Sequence, residues 1–486
     1  MPIKTNDRYD KLCAIWQKCR AVCGGDDDLK AWSGISKAVP KLPSQKDQEY
    51  RAMLNRATLF AAAGRTVEGL VGMVTRKPID ATYPAAMADI IDDMTLAIDN
   101  QSSLDDLTTK LLIEDVIVGR VGLLVDRPDV DTAGMTQAQV AALNLRPFVT
   151  EYPAESILDW RFDRVNNAAQ LVMVRLKECV YEWTTDIDRK EVEQERRLLL
   201  INGEYIQRIF REVKGGNKKS EWVQIGSDIV PLMNGKPLTY IPFVCDLECE
   251  KPPILDLVNV NLSHFRTDVD REHGAHFTAV PTPMFAGFEF KKGEEFNLGA
   301  SGGYSSTYPE AKWGYLEFTG TGLGTLREIK EEKAEQMAVL GARFLTSEKA
   351  SAEAEATVKI RRSGETSVIA RIAHKRDEAM ERVLEIMRDW MGLDGDIEVE
   401  LNTDFNDSSL TAQDLTALMG AYQSGAISFQ TFFWNMQQGE MYAPDTTIEG
   451  EQEAIQSQTI GESLLNSSLS AQDTLMQNEV APVVSK

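Results

Sequence analysis

The chain has four histidines, and three of them, His264, His273 and His276, lie close together beside Asp268, Asp270 and Glu272. On a helix, positions 264, 268, 272 and 276 share a face, aligning His264, Asp268, Glu272 and His276 and leaving His273 well off it. Imidazole and carboxylate groups of this kind suit a divalent metal, so an acidic metal-dependent enzyme using His264, Asp268 and His276 is one reading. Metal ligation would also need the residues of this face to converge, and because helices with charged faces present such sets readily, a solvated or subunit-facing stripe is the preferred reading.

Gly320-Thr321-Gly322-Leu323-Gly324 stands ahead of a helical pattern, as a phosphate-cradling turn would. It lacks the glycine spacing of a dinucleotide fingerprint and the Lys-Ser/Thr of a P-loop, so it reads as a tight strand-to-helix connection. No Gly-x-Ser-x-Gly elbow occurs and no cysteine neighbours a histidine, which leaves nucleophilic catalysis without a starting point. Two basic runs, Lys359–Arg362 and Arg371–Arg376, stand out against an acidic background.

Helical spacing predicts elements over Tyr9–Gly24, Asp47–Arg76 and Leu104–Ile117, the last running into a strand at Val121–Val125. From Arg146 to Val244 short β-like runs dominate, punctuated by Asn202-Gly203, Gly215–Lys218 and Asn234-Gly235, so this stretch is predicted to be hairpin-rich sheet. Pro252-Pro253 opens a helix from Ile254 to Ala279 that Pro281 and Pro283 close. An aromatic and glycine-rich piece, Pro283–Gly324, separates it from a second helix at Leu326–Leu345, with Thr325 as its expected N-cap. After the small, polar Thr346–Ala356 segment comes a long amphipathic pattern (Ile369, Ile372, Arg376, Met380, Val383, Met387, Met391) ending at Gly392, with Gly364 as a plausible kink. A strand at Ile397–Phe405 and helices at Thr411–Tyr422 and Ser428–Gly439 follow. The aromatic-free stretch beyond Gly450 is too polar to order itself.

The chain is 486 residues long, with 52 Lys+Arg against 75 Asp+Glu and a formal net charge of −23. Its 43% hydrophobic content is enough to bury cores, and at roughly 150 residues per domain the length suits about three. No window reaches the ~18 uninterrupted apolar residues of a membrane span, and the charged Met1–Asp10 is not expected to act as a secretory signal. Six cysteines without a CxxC pair read as free thiols in a cytosolic setting. The excess negative charge disfavours tight, sequence-reading DNA binding, which needs clustered Lys and Arg.

The order of these elements, together with local sequence, resembles the portal (head-to-tail connector) proteins of tailed bacteriophages, of the podovirus type. The residues that carry the resemblance are Tyr9-x2-Leu12-x3-Trp16-x2-Cys19-Arg20, Glu49-Tyr50 to Arg56-Ala57, Arg65-Thr66-Val67-x-Gly69-Leu70-x-Gly72 and Pro253-Ile-Leu-Asp256-Leu-x3-Asn261-Leu-x-His264. Met337-x2-Leu340-Gly341-Ala342-Arg343 and Gly425-Ala-Ile427-Ser428-x2-Thr431-Phe432 continue it, so that it spans roughly residues 9–445.

The resemblance implies an α+β portal fold. Residues 1–250 form most of a mixed α/β wing, 251–282 and 325–345 a two-helix stem, and 283–324 a small β-rich clip. Residues 346–356 form a tunnel loop, 357–392 a long kinked tunnel helix, 393–450 a helical crown and 451–486 a flexible tail. It further implies a cyclic homo-oligomer, commonly of twelve subunits, at one vertex of the virion capsid, assembled in the host cytoplasm. Such a ring passes double-stranded DNA non-specifically during packaging and ejection. Its partners are capsid and scaffolding protein, the large terminase and a head-to-tail adaptor, and it needs no cofactor, metal or membrane. Mapped onto this chain, the DNA channel is expected to carry Lys349, Lys359, Arg361 and Arg362 near its constriction. An acidic wall is expected from among Asp268, Asp270, Glu272, Glu328, Glu331, Glu332 and Glu335.

Overall fold

A computed structural model describes residues 4–32, 34–95, 102–128, 135–136, 143, 145–165, 167–185, 187–213, 221–248, 251–279, 282–288, 306–316, 320–342, 367–403, 405, 412–438, 441–442 and 446–455. They form a mixed helix-and-sheet protein in two compact units, 1–403 and 404–486. In chain order the principal elements begin with helices α1 (Asp7–Cys23), α2 (Asp47–Arg56) and α3 (Ala62–Val74), strand β1 (Asp80–Thr82) and helix α4 (Leu104–Ile117). Seven strands follow: β2 (Val121–Asp126), β3 (Phe148–Pro153), β4 (Ile157–Val165), β5 (Ala168–Trp183), β6 (Arg189–Ile201), β7 (Glu204–Val213) and β8 (Glu221–Ile229). Then come β9 (Phe243–Cys245), α5 (Leu255–Ala279), β10 (Thr282–Ala286), β11 (Lys312–Leu316), α6 (Thr321–Ala342), α7 (Val368–Met391), β12 (Glu398–Glu400), α8 (Ala412–Gln423) and α9 (Phe429–Gln438).

Strands β4 to β8 pair each with the next, antiparallel, as a five-stranded meander. Asn202 and Gly203 both take positive φ (55° and 84°) between β6 and β7, as a two-residue hairpin turn that follows the strand twist requires. A smaller sheet, ordered β9-β2-β3, forms the centre of the body. Its middle strand is buried on both faces, since Leu123, Leu124 and Val125 are almost without exposure. Gly122 belongs there because a Cβ would stand 2.2 Å from the Phe243 ring.

The core over that sheet combines Leu104, Leu107 and Leu111 of α4 with Met380, Val383, Leu384, Met387 and Trp390 of α7. Chain from both sides of the α5–α6 pair therefore builds one body. The antiparallel pairing of β1 with β12 (Asp80 opposite Glu400) joins them again.

Several elements differ from the sequence reading. The single helix expected over Asp47–Arg76 is two, broken at 57–61, because side chains of other elements take over its hydrogen bonds: Leu59 N–H donates to Asp26 and Ala63 N–H to Asn261. Helix α6 starts at Thr321 and not at Leu326. Gly320 (φ +63°) makes the turn, and Gly322 and Gly324 lie inside the helix, so the expected glycine connection and the Thr325 cap are both displaced. Strand β4 at Ile157–Val165 lies within the stretch expected to be sheet but between the runs Pro147–Tyr152 and Gln170–Lys177 that carry the β-like pattern there, and the strand expected at Ile397–Phe405 is only Glu398–Glu400. Helix α7 begins after an N-cap at Ser367, whose hydroxyl accepts from Ala370 N–H. The expected kink at Gly364 and the tunnel loop at 346–356 lie outside the described residues. No described helix is long and apolar enough to cross a membrane.

Candidate functional site

Helices α5 and α6 pack side by side, and the way α6 distributes its charges defines the site. At about 100° per residue, Leu323, Leu326, Lys330, Lys333, Met337 and Gly341 share one face of α6. That face meets the rest of the body. Leu323 reaches Gly274 of α5, Met337 is buried, and Gly341 lies against Thr66 of α3. Both lysines are used inward: Lys330 donates to Asp268, and Lys333 donates to Thr267 Oγ1 at 2.6 Å and to the Ser263 carbonyl at 3.2 Å.

The opposite face, roughly 190° away by the same arithmetic, carries Glu328, Glu331, Glu332 and Glu335, all exposed. Arg327 at its margin is paired with Glu331 at 2.9 Å. Spacing alone separates the signs. Positions 328, 331, 332 and 335 follow the i, i+3, i+4, i+7 rule for one face, and 330 and 333 fall on the other.

The carboxylates of α5 divide differently. Asp270 is exposed, Glu272 is partly buried and bound to Arg271, and Asp268 is buried. Burial would raise the Asp268 carboxyl, but the Lys330 ammonium, the Thr58 amide and Arg271 outweigh it and hold it below the ordinary Asp range. Asp268 therefore ties α6 to α5, and the expectation that it lines an open wall is corrected.

His264 is 4% exposed and packs against Phe60 with ring centroids 5.6 Å apart. Its basicity is lowered by burial first and by Lys330 next. His276 is exposed. Among the described residues no group of three or more His, Cys, Asp or Glu side chains converges as a metal site, and Asp268 is engaged by Lys330 and Arg271. The metal-ligating reading of His264, Asp268 and His276 loses its carboxylate for that reason.

Of the basic residues expected near a constriction, Lys349, Lys359, Arg361 and Arg362 lie outside the described residues. The second basic run, Arg371–Arg376, is partly structural. Lys375 pairs with Asp246 at 2.8 Å, and the buried Arg376 pairs with Asp115 of α4 at 2.6 Å.

Sequence reasoning missed three fixtures that tie the elements of the body together. Arg20 grips Glu114 and Glu155 together, with contacts of 2.6 Å to each. Arg120, fully buried, stacks between Trp16 (5.2 Å) and Trp160 (4.7 Å) and donates to the Leu247 carbonyl. Asn261, fully buried on α5, accepts from Ala63 N–H at the start of α3 and donates to the Phe60 carbonyl. The only advance signal was that Trp16, Arg20 and Asn261 stand in the motifs on which the resemblance rests.

A family model described as a domain of unknown function (DUF4055) matches residues 253–391, the stretch from the start of α5 to the end of α7. Among solved structures, a chain from "Virion of native gene transfer agent (GTA) particle" is similar at 12% identity, with a TM-score of 0.34, covering 82% of this chain and 95% of that one. A chain from "Neck of empty GTA particle computed with C6 symmetry" is similar at 12% identity and a TM-score of 0.33 over the same shares. No curated protein matches.

Proposed function

We propose that this chain is the portal subunit of a tailed bacteriophage, a non-enzymatic structural protein that closes into a ring, of about twelve copies by its resemblance, around a channel for double-stranded DNA. The observation that carries the reading is the division of charge on α6, which spends its lysines against α5 and keeps Glu328, Glu331, Glu332 and Glu335 on the open face. A conduit must not hold what slides through it. A wall of carboxylates repels phosphate over a Debye length of about 8 Å, and water and ions fill the gap.

In this reading the exposed Asp270 adds to the wall, while Glu272, bound to Arg271 on the face of Asp268, does not, and residues 346–356 with Lys349, Lys359, Arg361 and Arg362 supply backbone contacts at the narrowest ring without reading bases. Exposed apolar side chains such as Phe60, Met73, Ile113 and Val339 are covered by neighbouring copies. Capsid and scaffolding protein, the large terminase and a tail adaptor are the remaining partners, and the site of action is the portal vertex of the virion.

The test is the variant carrying Glu328→Lys, Glu331→Lys, Glu332→Lys and Glu335→Lys, assembled into phage. All four positions are exposed, so ring assembly is expected to survive. DNA packaging is expected to slow, because each exposed contact to phosphate adds up to about 1 kcal/mol of attraction, less after screening. An unchanged packaging rate in intact rings would remove the repelling-wall argument.

A further inference from the structure

Where the 57–61 break passes over α5, it leaves a cavity of about 420 Å³ whose lining includes Arg56, Thr58, His264, Arg271 and Lys330, with Asp268 and Glu272 as its carboxylates. Those carboxylates are already engaged. Asp268 Oδ1 accepts from Arg271 and Lys330, its Oδ2 accepts from Thr58 N–H, and Glu272 accepts from Arg271. The donors are not used up. Arg56 is exposed and makes no hydrogen bond or ion pair among the described residues, leaving a whole guanidinium fork open at the cavity. Independently, His264 is 96% buried (4% exposed), and its Nδ1 is closed off from solvent without a hydrogen-bond partner among the described residues. Three cations face two engaged carboxylates, a local excess of positive charge in a chain whose net charge is −23.

We infer that this cavity binds a small oxyanion of the phosphate type, held by the open Arg56 fork with Lys330 and Arg271 on the facing wall. Spare donors and spent acceptors select an acceptor-rich ligand, and a guanidinium matches the paired oxygens of phosphate better than a point charge does. The volume leaves room for a substituent, so free phosphate and a nucleic-acid backbone phosphate share the chemistry.

The test titrates inorganic phosphate into the assembled full-length protein at constant ionic strength, followed by calorimetry. Wild type is expected to bind saturably. Arg56→Gln, at an exposed position, is expected to fold normally and bind at least tenfold more weakly. Arg327→Gln, on the outward face of α6, is expected to bind as wild type does. A short DNA duplex as competitor separates the sources: displacement of phosphate assigns the site to a nucleic-acid backbone, and no displacement assigns it to the free anion. Absence of saturation in wild type overturns the inference. So does unchanged affinity in Arg56→Gln, or an equal loss in Arg327→Gln, which would mean diffuse counterion binding.

Discussion

Among the described residues, buried charges such as Arg175, Asp268 and Arg376 have partners whose removal should be felt. Arg376 sits at an apolar-face position of α7, three turns of pattern among Ile369, Ile372, Met380 and Val383, and it is there because the partly buried Asp115 of α4 stands opposite it. Arg376→Met leaves the Asp115 charge uncompensated and is expected to cost about 3–5 kcal/mol, and adding Asp115→Leu should recover much of it. Chemical denaturation of both variants checks this; equal stability of the single variant and wild type would contradict it. Asp377, next along α7, accepts from Leu401 N–H at 3.0 Å and has its carboxyl pushed up to about 6, by burial above all. Its folded pKa thus lies above the unfolded one near 3.9. Between about pH 4 and pH 6 the native state binds more protons at this group, so its contribution to stability falls as pH rises through that window. Asp377→Asn keeps the acceptor and is expected to be more stable than wild type at pH 7, with the difference vanishing near pH 4. A melting-temperature series across that range reads it directly, and a difference that does not change with pH would refute the assignment. The sequence marked Arg376 as part of the helix pattern but gave no hint of Asp115, 261 residues away. Pairings at such separation are set by tertiary packing, which periodicity does not encode.

Among the elements, periodicity located the long helices well because each buries one stripe, as α7 does with Ala373, Met380, Val383, Leu384 and Met387. It failed where another element replaces local hydrogen bonds. The apolar rhythm of Asp47–Arg76 runs unbroken because α2 and α3 both pack on α5, yet the backbone between them leaves the helix, held by Asp26, Asp268 and Asn261. Asn261 is the pin of that junction. Asn261→Ala deprives Ala63 N–H and the Phe60 carbonyl of their partners in a buried place, at about 1–3 kcal/mol for each group left unsatisfied. Amide hydrogen exchange in the first turn of α3 is expected to accelerate tenfold or more while that of β2 stays slow. Unaltered exchange at Ala63–Arg65 would show that the pin carries no weight. The same reasoning accounts for α6, whose early start at Thr321 was hidden by glycines that disfavour a helix only weakly once Leu323 packs on Gly274.

At the scale of the whole molecule, what could be read in advance was composition and order: an acidic, mixed α/β chain with a helix pair flanking an aromatic β piece. The acidic stripe was half legible. Spacing places Glu328, Glu331, Glu332 and Glu335 together, but only packing shows that this face is the open one and that Asp268 belongs inside. We propose that copies of this chain enclose a channel whose wall is that stripe. The most direct measurement is electron cryomicroscopy of the purified full-length protein, with native mass spectrometry of the same sample. The expected result is a closed ring of about twelve subunits, metal-free, with the Glu328–Glu335 face of α6 turned toward the central opening. A monomer that persists at micromolar concentration under every salt condition, or a ring with that face turned outward, would contradict it.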